Sequence, residues 1–365
     1  MAKSERRYVR RAACHAILLV GLAAALGGCT YTIEPLKGQE GKTYVYAAVG
    51  KDGAPNAGII TTSLGAVVID PPLSPEIGQR LDQDALRMSK TFWDEKWRLN
   101  KDRKPTLAPP VLYALNTTFR ASHSFGNQAF HQAADIIATE RAGARLADLN
   151  QIQRMRELLK TQFQVPGLEM HAQALTQPTI TFEGTMTLRT PEVEIKLISV
   201  GDCVGPGDCV IHLPQQKVLF AGDLVLVGFM PYHEGRTRSV RHWIKALQDL
   251  QKLDLDVVVP GHGATGGKDL LKEQERFLSS LVAQVALALK EGKSLEQAMN
   301  SVKLPNAANW RYYNEWLPGN VKLVYEELSQ GPTPEPSAAS ANGASTSASM
   351  AMPAGVEGAD PFRDR

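Results

Sequence analysis

The sequence is poor in residues that staple a chain or charge it strongly. It has four cysteines in 365 residues, so no disulfide framework can stand in for a hydrophobic core. Aromatic residues make up 7%, and the formal net charge is only +2. Residues 1–28 carry Lys3, Arg6, Arg7, Arg10 and Arg11 against Glu5, a balance of +4, which leaves the rest of the chain near −2. No basic excess remains to suggest a nucleic-acid partner. An apolar run from Ala12 to Leu26 falls short of the roughly 20 residues that a membrane-spanning helix needs. No short-period repeat points to a solenoid. What is present is a hydrophobic content of 43%, ordinary for a globular domain, over a stretch of about 300 residues.

A basic start followed by a short apolar run reads as an export signal rather than as part of the fold. It ends in Leu26-Gly27-Gly28-Cys29, which resembles the lipobox of bacterial lipoproteins. The resemblance implies cleavage before Cys29 and acylation of its thiol, with each buried CH₂ contributing about 0.8 kcal/mol to membrane attachment. Thr30 stands where lipoproteins kept at the inner membrane usually have Asp, which points to the outer membrane. The Arg6-Arg7 and Arg10-Arg11 pairs leave the Sec and Tat routes both open. The expected organisation is a signal at 1–28, a linker at 29–42, a folded domain at 43–329 and a disordered tail at 330–365. The tail is Pro, Ala, Ser and Gly with few large apolar groups, so it cannot offset its ordering entropy. The chain is thus expected in the cell envelope, lipid-anchored and facing the periplasm, with a small molecule or an envelope protein as a further partner.

With Cys14 lost in the signal and Cys29 acylated, Cys203 and Cys209 remain, flanking Gly205-Pro206-Gly207. An oxidising compartment favours a disulfide between them. The alternative is a pair of thiolates on a metal.

Short β-rich runs at Gly58–Thr62 and Ala66–Ile69 predict a hairpin ending at Asp70. Helices are expected over Ser74–Met88, Gly126–Ala134, Glu140–Phe163, Val240–Leu253 and much of Lys268–Glu327. Strands are expected at Val111–Leu115, Thr179–Phe182, Met186–Arg189, Val193–Val200, Cys209–Leu213, Val218–Phe220 and Val257–Val259. The charged, Pro-bounded stretch Lys90–Pro110 reads as an insertion, with Phe92–Trp97 as a candidate cover for a cleft. Strands and helices alternating in two halves argue for a layered α/β fold.

Four landmarks follow in order: the hairpin ending in Val67-Val68-Ile69-Asp70; Thr118-Phe119-Arg120-Ala121-Ser122-His123 after a strand; Phe220-Ala221-Gly222-Asp223; and Val259-Pro260-Gly261-His262. Together they resemble the metallo-β-lactamase-fold superfamily, and within it the periplasmic hydrolase-like branch associated with sulfur-oxidation and quinoprotein systems. Gly222 to Val225, Trp243 to Leu247 and Asn320 to Leu328 carry the narrower likeness. The resemblance implies an αββα sandwich with a metal-assisted hydrolytic site along one edge. It also implies seven ligand positions for two metals. Here Thr118, Arg120, Ser122 and Val204 replace four of them, and His123, Asp223 and His262 remain. Asp70 is expected to brace the site from behind. His233 and Glu234 are candidate pocket residues at its mouth.

A dizinc centre is therefore not expected. One reading is a metal-free relative that binds a ligand or partner, with the fixed charge of Arg120 beside Asp223 replacing part of the lost metal charge. The other is a hydrolase with one divalent metal, zinc foremost, on His123, Asp223 and His262. A metal-free enzyme using His123 or His262 as base lacks any nucleophile that the sequence places beside it.

Overall fold

The computed structural model describes residues 31–37, 44–98, 110–130, 134–148, 153, 176–231 and 239–330. The signal segment, Cys29, His233, Glu234 and residues 331–365 lie outside the described residues, as does most of the helix expected beyond residue 148.

One sheet holds seven strands in chain order: β1 Tyr31–Lys37, β2 Val45–Gly50, β3 Ala57–Thr61, β4 Ala66–Ile69, β5 Val111–Leu115, β6 Asp135–Thr139 and β7 Ile180–Phe182. Pairing is antiparallel from β1 to β4 and parallel from β4 to β7. The second sheet runs β12-β11-β10-β9-β8, built from β8 Thr185–Arg189, β9 Glu194–Gly201, β10 Asp208–Leu213, β11 Val218–Leu226 and β12 Val257–His262. Only its β11–β12 pair is parallel. The helices are α1 Pro75–Lys96, α2 Ala121–Ser124, α3 Glu140–Ala147, α4 Val240–Leu250, α5 Asp269–Lys290, α6 Leu295–Ser301 and α7 Tyr313–Ser329.

The layers follow from which faces are apolar. Val45, Ile60, Ile69, Leu115 and Ile137 of the first sheet meet Ile195, Leu197, Ile211, Phe220 and Val259 of the second, forming a dry inter-sheet core. Ile59, Val68, Ala114 and Ile136 point the other way, under Leu81 and Ala85 of α1. Val210, Leu219, Ala221 and Val258 do the same on the second sheet, beneath Trp243, Leu247, Leu278, Leu281 and Val321 of α4, α5 and α7. Strands buried on both faces read as continuous apolar runs, and each large side chain removed from water contributes about 1.5–3 kcal/mol. The architecture is the expected αββα sandwich.

Several local expectations change. Tyr31–Lys37, inside the stretch read as a linker, is a strand paired with β2. Helix α1 does not stop at Met88 but runs on to Lys96, into the stretch read as an insertion. Its apolar face continues through Ala85, Ser89 and Trp93, one turn apart, while Lys90 and Asp94 pair on the outer side. Phe92–Trp97 is no cover for the cleft. Helix α1 begins beside the loop at Gly126 and runs away from it, so Phe92 packs on Tyr44 and Lys96 pairs with Glu192 at the far end of the sandwich. In place of a helix over Gly126–Ala134 there is a 3-10 turn, Phe125–Ala129, and then strand β6.

The expected disulfide is absent: Cys203 and Cys209 are both free and buried. They sit in different layers. Strand β10 turns Cys209 into the inter-sheet core, while Cys203 packs under the helices on the opposite face. Each thiol donates to a carbonyl instead, Cys203 to Val200 at 3.4 Å and Cys209 to Asn116 at 3.3 Å. Burial raises both thiol pKa values well above the ordinary range, so neither is a reactive thiolate. A maleimide should leave both untouched in the native protein and modify both once it is unfolded; an unreactive pair after unfolding would restore the disulfide.

Candidate functional site

The strands that end at one edge of the sandwich deliver the site. β4 ends at Asp70, β5 leads into Asn116-Thr117-Thr118, β11 carries Asp223 and β12 ends on His262. Asn116 locks the loop after β5: its Nδ2 donates to the His123 carbonyl at 2.9 Å, and it exchanges side-chain hydrogen bonds with Asn127. That places His123 at 0% exposure beside Asp223. Gly222 and Gly261 are required here. A Cβ on Gly222, which has φ +52°, would run into the Thr117 side chain, and one on Gly261 would run into Asp223 itself.

Asp223 is the hub. His123 Nε2 lies 3.0 Å from its Oδ1, His262 Nε2 lies 3.6 Å from the same oxygen, and Arg120 Nη1 donates to Oδ2 at 3.2 Å. Both imidazoles are oriented from behind. His262 Nδ1 donates to the Gly53 carbonyl at 2.9 Å, and His123 Nδ1 lies 3.2 Å from Asp70 Oδ2. Asp70 also accepts from Thr117 N at 2.7 Å and from Thr117 Oγ1 at 2.6 Å, and it holds a left-handed φ of 51° to do so. Asp70 thus stands between the His123 ring and the Thr117 backbone. The two Nε2 atoms and a carboxylate oxygen converge, with all ligand atoms within 4.8 Å of one another.

The replaced positions lie around this hub. Arg120 bonds Asp223 with Nη1 and the Val204 carbonyl with Nη2 at 3.3 Å. Thr118 is buried; Ser122 is half-buried on α2, where its carbonyl accepts from Leu73 N. Arg120 lies beside the converging group as a fixed cation on Asp223 Oδ2. The donors present fit a single divalent cation on His123, Asp223 and His262, with both imidazoles already turned to present Nε2.

The charges are strongly coupled. Burial opposes the His123 charge, but Asp223 and Asp70 outweigh it and push its pKa up to about 10. Burial alone would raise Asp223, yet His123, His262 and Arg120 hold it well below the usual carboxylate range. Burial lowers His262, with the His123 and Arg120 charges adding to the effect against the pull of Asp223.

Two features escaped the sequence. Asp208 is a buried carboxylate whose Oδ2 accepts from Val204 N at 2.6 Å and Gly205 N at 2.7 Å, pinning the loop that presents the Val204 carbonyl to Arg120. Burial raises its pKa to about 6, against the pull of those two N–H groups, Arg120 and Thr118. An Asp four residues after Val204, behind Gly-Pro-Gly, was the available signal. The other is Phe229, whose ring lies 5.8 Å from that of His262, with Arg311 over it at 5.6 Å.

The molecule is thus a two-sheet sandwich with an oxygen- and nitrogen-rich centre at one edge. Residues 123–262 match the sequence model of the metallo-β-lactamase superfamily. Among solved structures the chain resembles the stereoselective inverting sec-alkylsulfatase Pisa1 from Pseudomonas sp., with TM-score 0.55, 16% identity, and 90% of this chain and 63% of that one covered. A double mutant of the same sulfatase gives TM-score 0.57, 17% identity and the same coverage of 90% and 63%. The chain therefore spans less than two thirds of the sulfatase's length. A metallo-β-lactamase from Pontibacter korlensis gives TM-score 0.45, 20% identity, and 68% of this chain and 99% of that one covered. No curated protein matches the sequence.

Replacing Asp223 leaves two buried cations without their carboxylate, so Asp223→Ala should cost about 3–5 kcal/mol in urea unfolding. A loss below about 1 kcal/mol would remove Asp223 from the centre of the network. The pH dependence has a definite sign. Folded His123 keeps its proton up to about 10 against an ordinary 6.5, so its contribution is fully present below 6.5 and is lost as pH climbs to about 10. The urea midpoint of chelator-treated protein should fall across that window, and His123→Asn should flatten the fall. A flat wild-type profile would mean that His123 is neutral.

Proposed function

We propose that this chain is an envelope lipoprotein, anchored through Cys29, whose metallo-β-lactamase domain is a ligand- or partner-binding relative of the hydrolases rather than a dizinc enzyme. The observation that carries this is the bridge from Arg120 to both Asp223 and the Val204 carbonyl. The guanidinium supplies fixed positive charge where the family places its first metal, and it bonds the groups left at those positions. With His123 protonated, Arg120 and His123 balance Asp70 and Asp223, so the buried charges close on themselves. The cleft floor is then a fixed, internally paired polar network rather than a metal centre.

One observation favours a second reading. The convergence of His123, Asp223 and His262 with braced imidazoles is a three-ligand set for one divalent cation. Such an ion would supply Lewis-acid polarisation and an activated water. In that reading Asp223 holds the ion with Oδ1 while Arg120 keeps Oδ2, and Asp70 and Gly53 fix the two rings.

Metal content separates the two. The mature chain, purified without a His tag, is measured before and after incubation with excess zinc, beside Arg120→Ala and His262→Ala. The metal-free reading expects none in the wild type and about one zinc per chain in Arg120→Ala, where the competing charge is gone. About one per chain in the wild type, lost in His262→Ala, would overturn it in favour of the mononuclear centre.

A further inference from the structure

The start of the fold lies next to the residue read as the lipid carrier. Tyr31 opens β1 and is 5% exposed; its hydroxyl donates to Asp84 at 2.9 Å, and Arg80 lies 5.8 Å over its ring. The chain is therefore held at Tyr31. Cys29 is two residues earlier, and two extended residues span at most about 7 Å. An acylated Cys29 gives the domain almost no slack above a bilayer.

The end of the molecule so tethered is the site edge. Tyr31 pairs with Gly50, and the loop after Gly50 supplies the Gly53 carbonyl that holds His262. The rim there has the character of an interfacial surface. Lys51 is exposed, Phe229 is half-buried against His262, and Arg311 lies over Phe229 while bonding the Asp52 carbonyl. Next along the chain, half-buried Tyr312 stacks on Trp316 with ring centroids 4.1 Å apart. Aromatic rings with polar tips, set among basic side chains, suit the headgroup layer, where one end of the ring is dry and the other wet. Exposed Asp52 and Glu315 offset the basic groups, so the contact depends on the lipid and the rings rather than on net charge.

We infer that the site edge faces the bilayer, with the lipid surface as the partner of the rim formed by Lys51, Phe229, Arg311, Tyr312 and Trp316. This rests on the proposed lipid anchor at Cys29. The opposite end, at the β3–β4 turn where Leu64 is 49% exposed, points away from the membrane. A ligand then reaches His262 from the lipid side.

The test uses the full-length, processed protein in vesicles containing brominated phospholipid, with an environment-sensitive dye on Lys51→Cys or, in a second sample, on Leu64→Cys. Cys203 and Cys209 are buried, so the dye goes to the new thiol. Intact mass is recorded on the same samples. The expected result is an acyl mass on Cys29, loss of fluorescence at position 51 and none at 64. An acylated protein with equal quenching at both positions, or stronger quenching at 64, overturns the orientation alone. Absence of the acyl mass overturns the anchor reading, and the orientation with it.

Discussion

Burying the Asp223 carboxylate is the constraint on which the rest of the site depends. The side chain is 3% exposed, and a lone charge at that depth would cost several kcal/mol. Three cationic or polar groups from two segments, the 120–123 turn and the end of β12, converge to offset it: His123, Arg120 and His262. Each demand propagates outward. His123 needs its far nitrogen faced by a carboxylate, so Asp70 sits in a left-handed turn and holds Thr117 with the same side chain. His262 needs its ring fixed, so the Gly50–Pro55 loop folds down to present a carbonyl. Gly222 and Gly261 give up their side chains so that two strands can crowd the carboxylate.

Arg120 changes what such a centre can do. A dinuclear site holds two dications a few Å apart, and the bridging carboxylate offsets their repulsion. Here a monocation on a side chain bonds the central carboxylate instead. It is always charged, and it does not dissociate. Its planar fork reaches two acceptors at once, so it also fixes the spacing between Asp223 and the 202–208 loop. Asp208 completes that arrangement by capturing two backbone N–H groups, so the carbonyl facing Arg120 is held in place by a carboxylate at its back. The loop is stabilised by these hydrogen bonds and not by the cysteines that flank it, because those two side chains enter different cores.

The sandwich was legible in the chain because buried parallel strands and amphipathic helices impose distinct periods on apolar residues, and Val240–Leu250 and Val257–His262 show both. The three site residues were legible because the family motif keeps them in order along the sequence. Less legible were elements whose identity depends on neighbours. β1 is a strand only because β2 lies beside it, and the end of α1 is helical because Trp93 has a core to enter. Local composition favoured a linker and an insertion at those places, and packing overrode it.

The sequence by itself determined the layered fold and placed His123, Asp223 and His262, with Arg120 nearby, on the segments that meet at one edge. Those are matters of residue type in a fixed order. Only the tertiary structure decided what these residues bond. That Arg120 bonds both Asp223 and Val204, that Asp208 pins the loop behind them, and that Cys203 and Cys209 point into different cores are facts of direction. A residue's direction is set by the strand pleat and by partners more than 80 positions away in the chain, as Arg120 and Val204 are, and no local pattern encodes it.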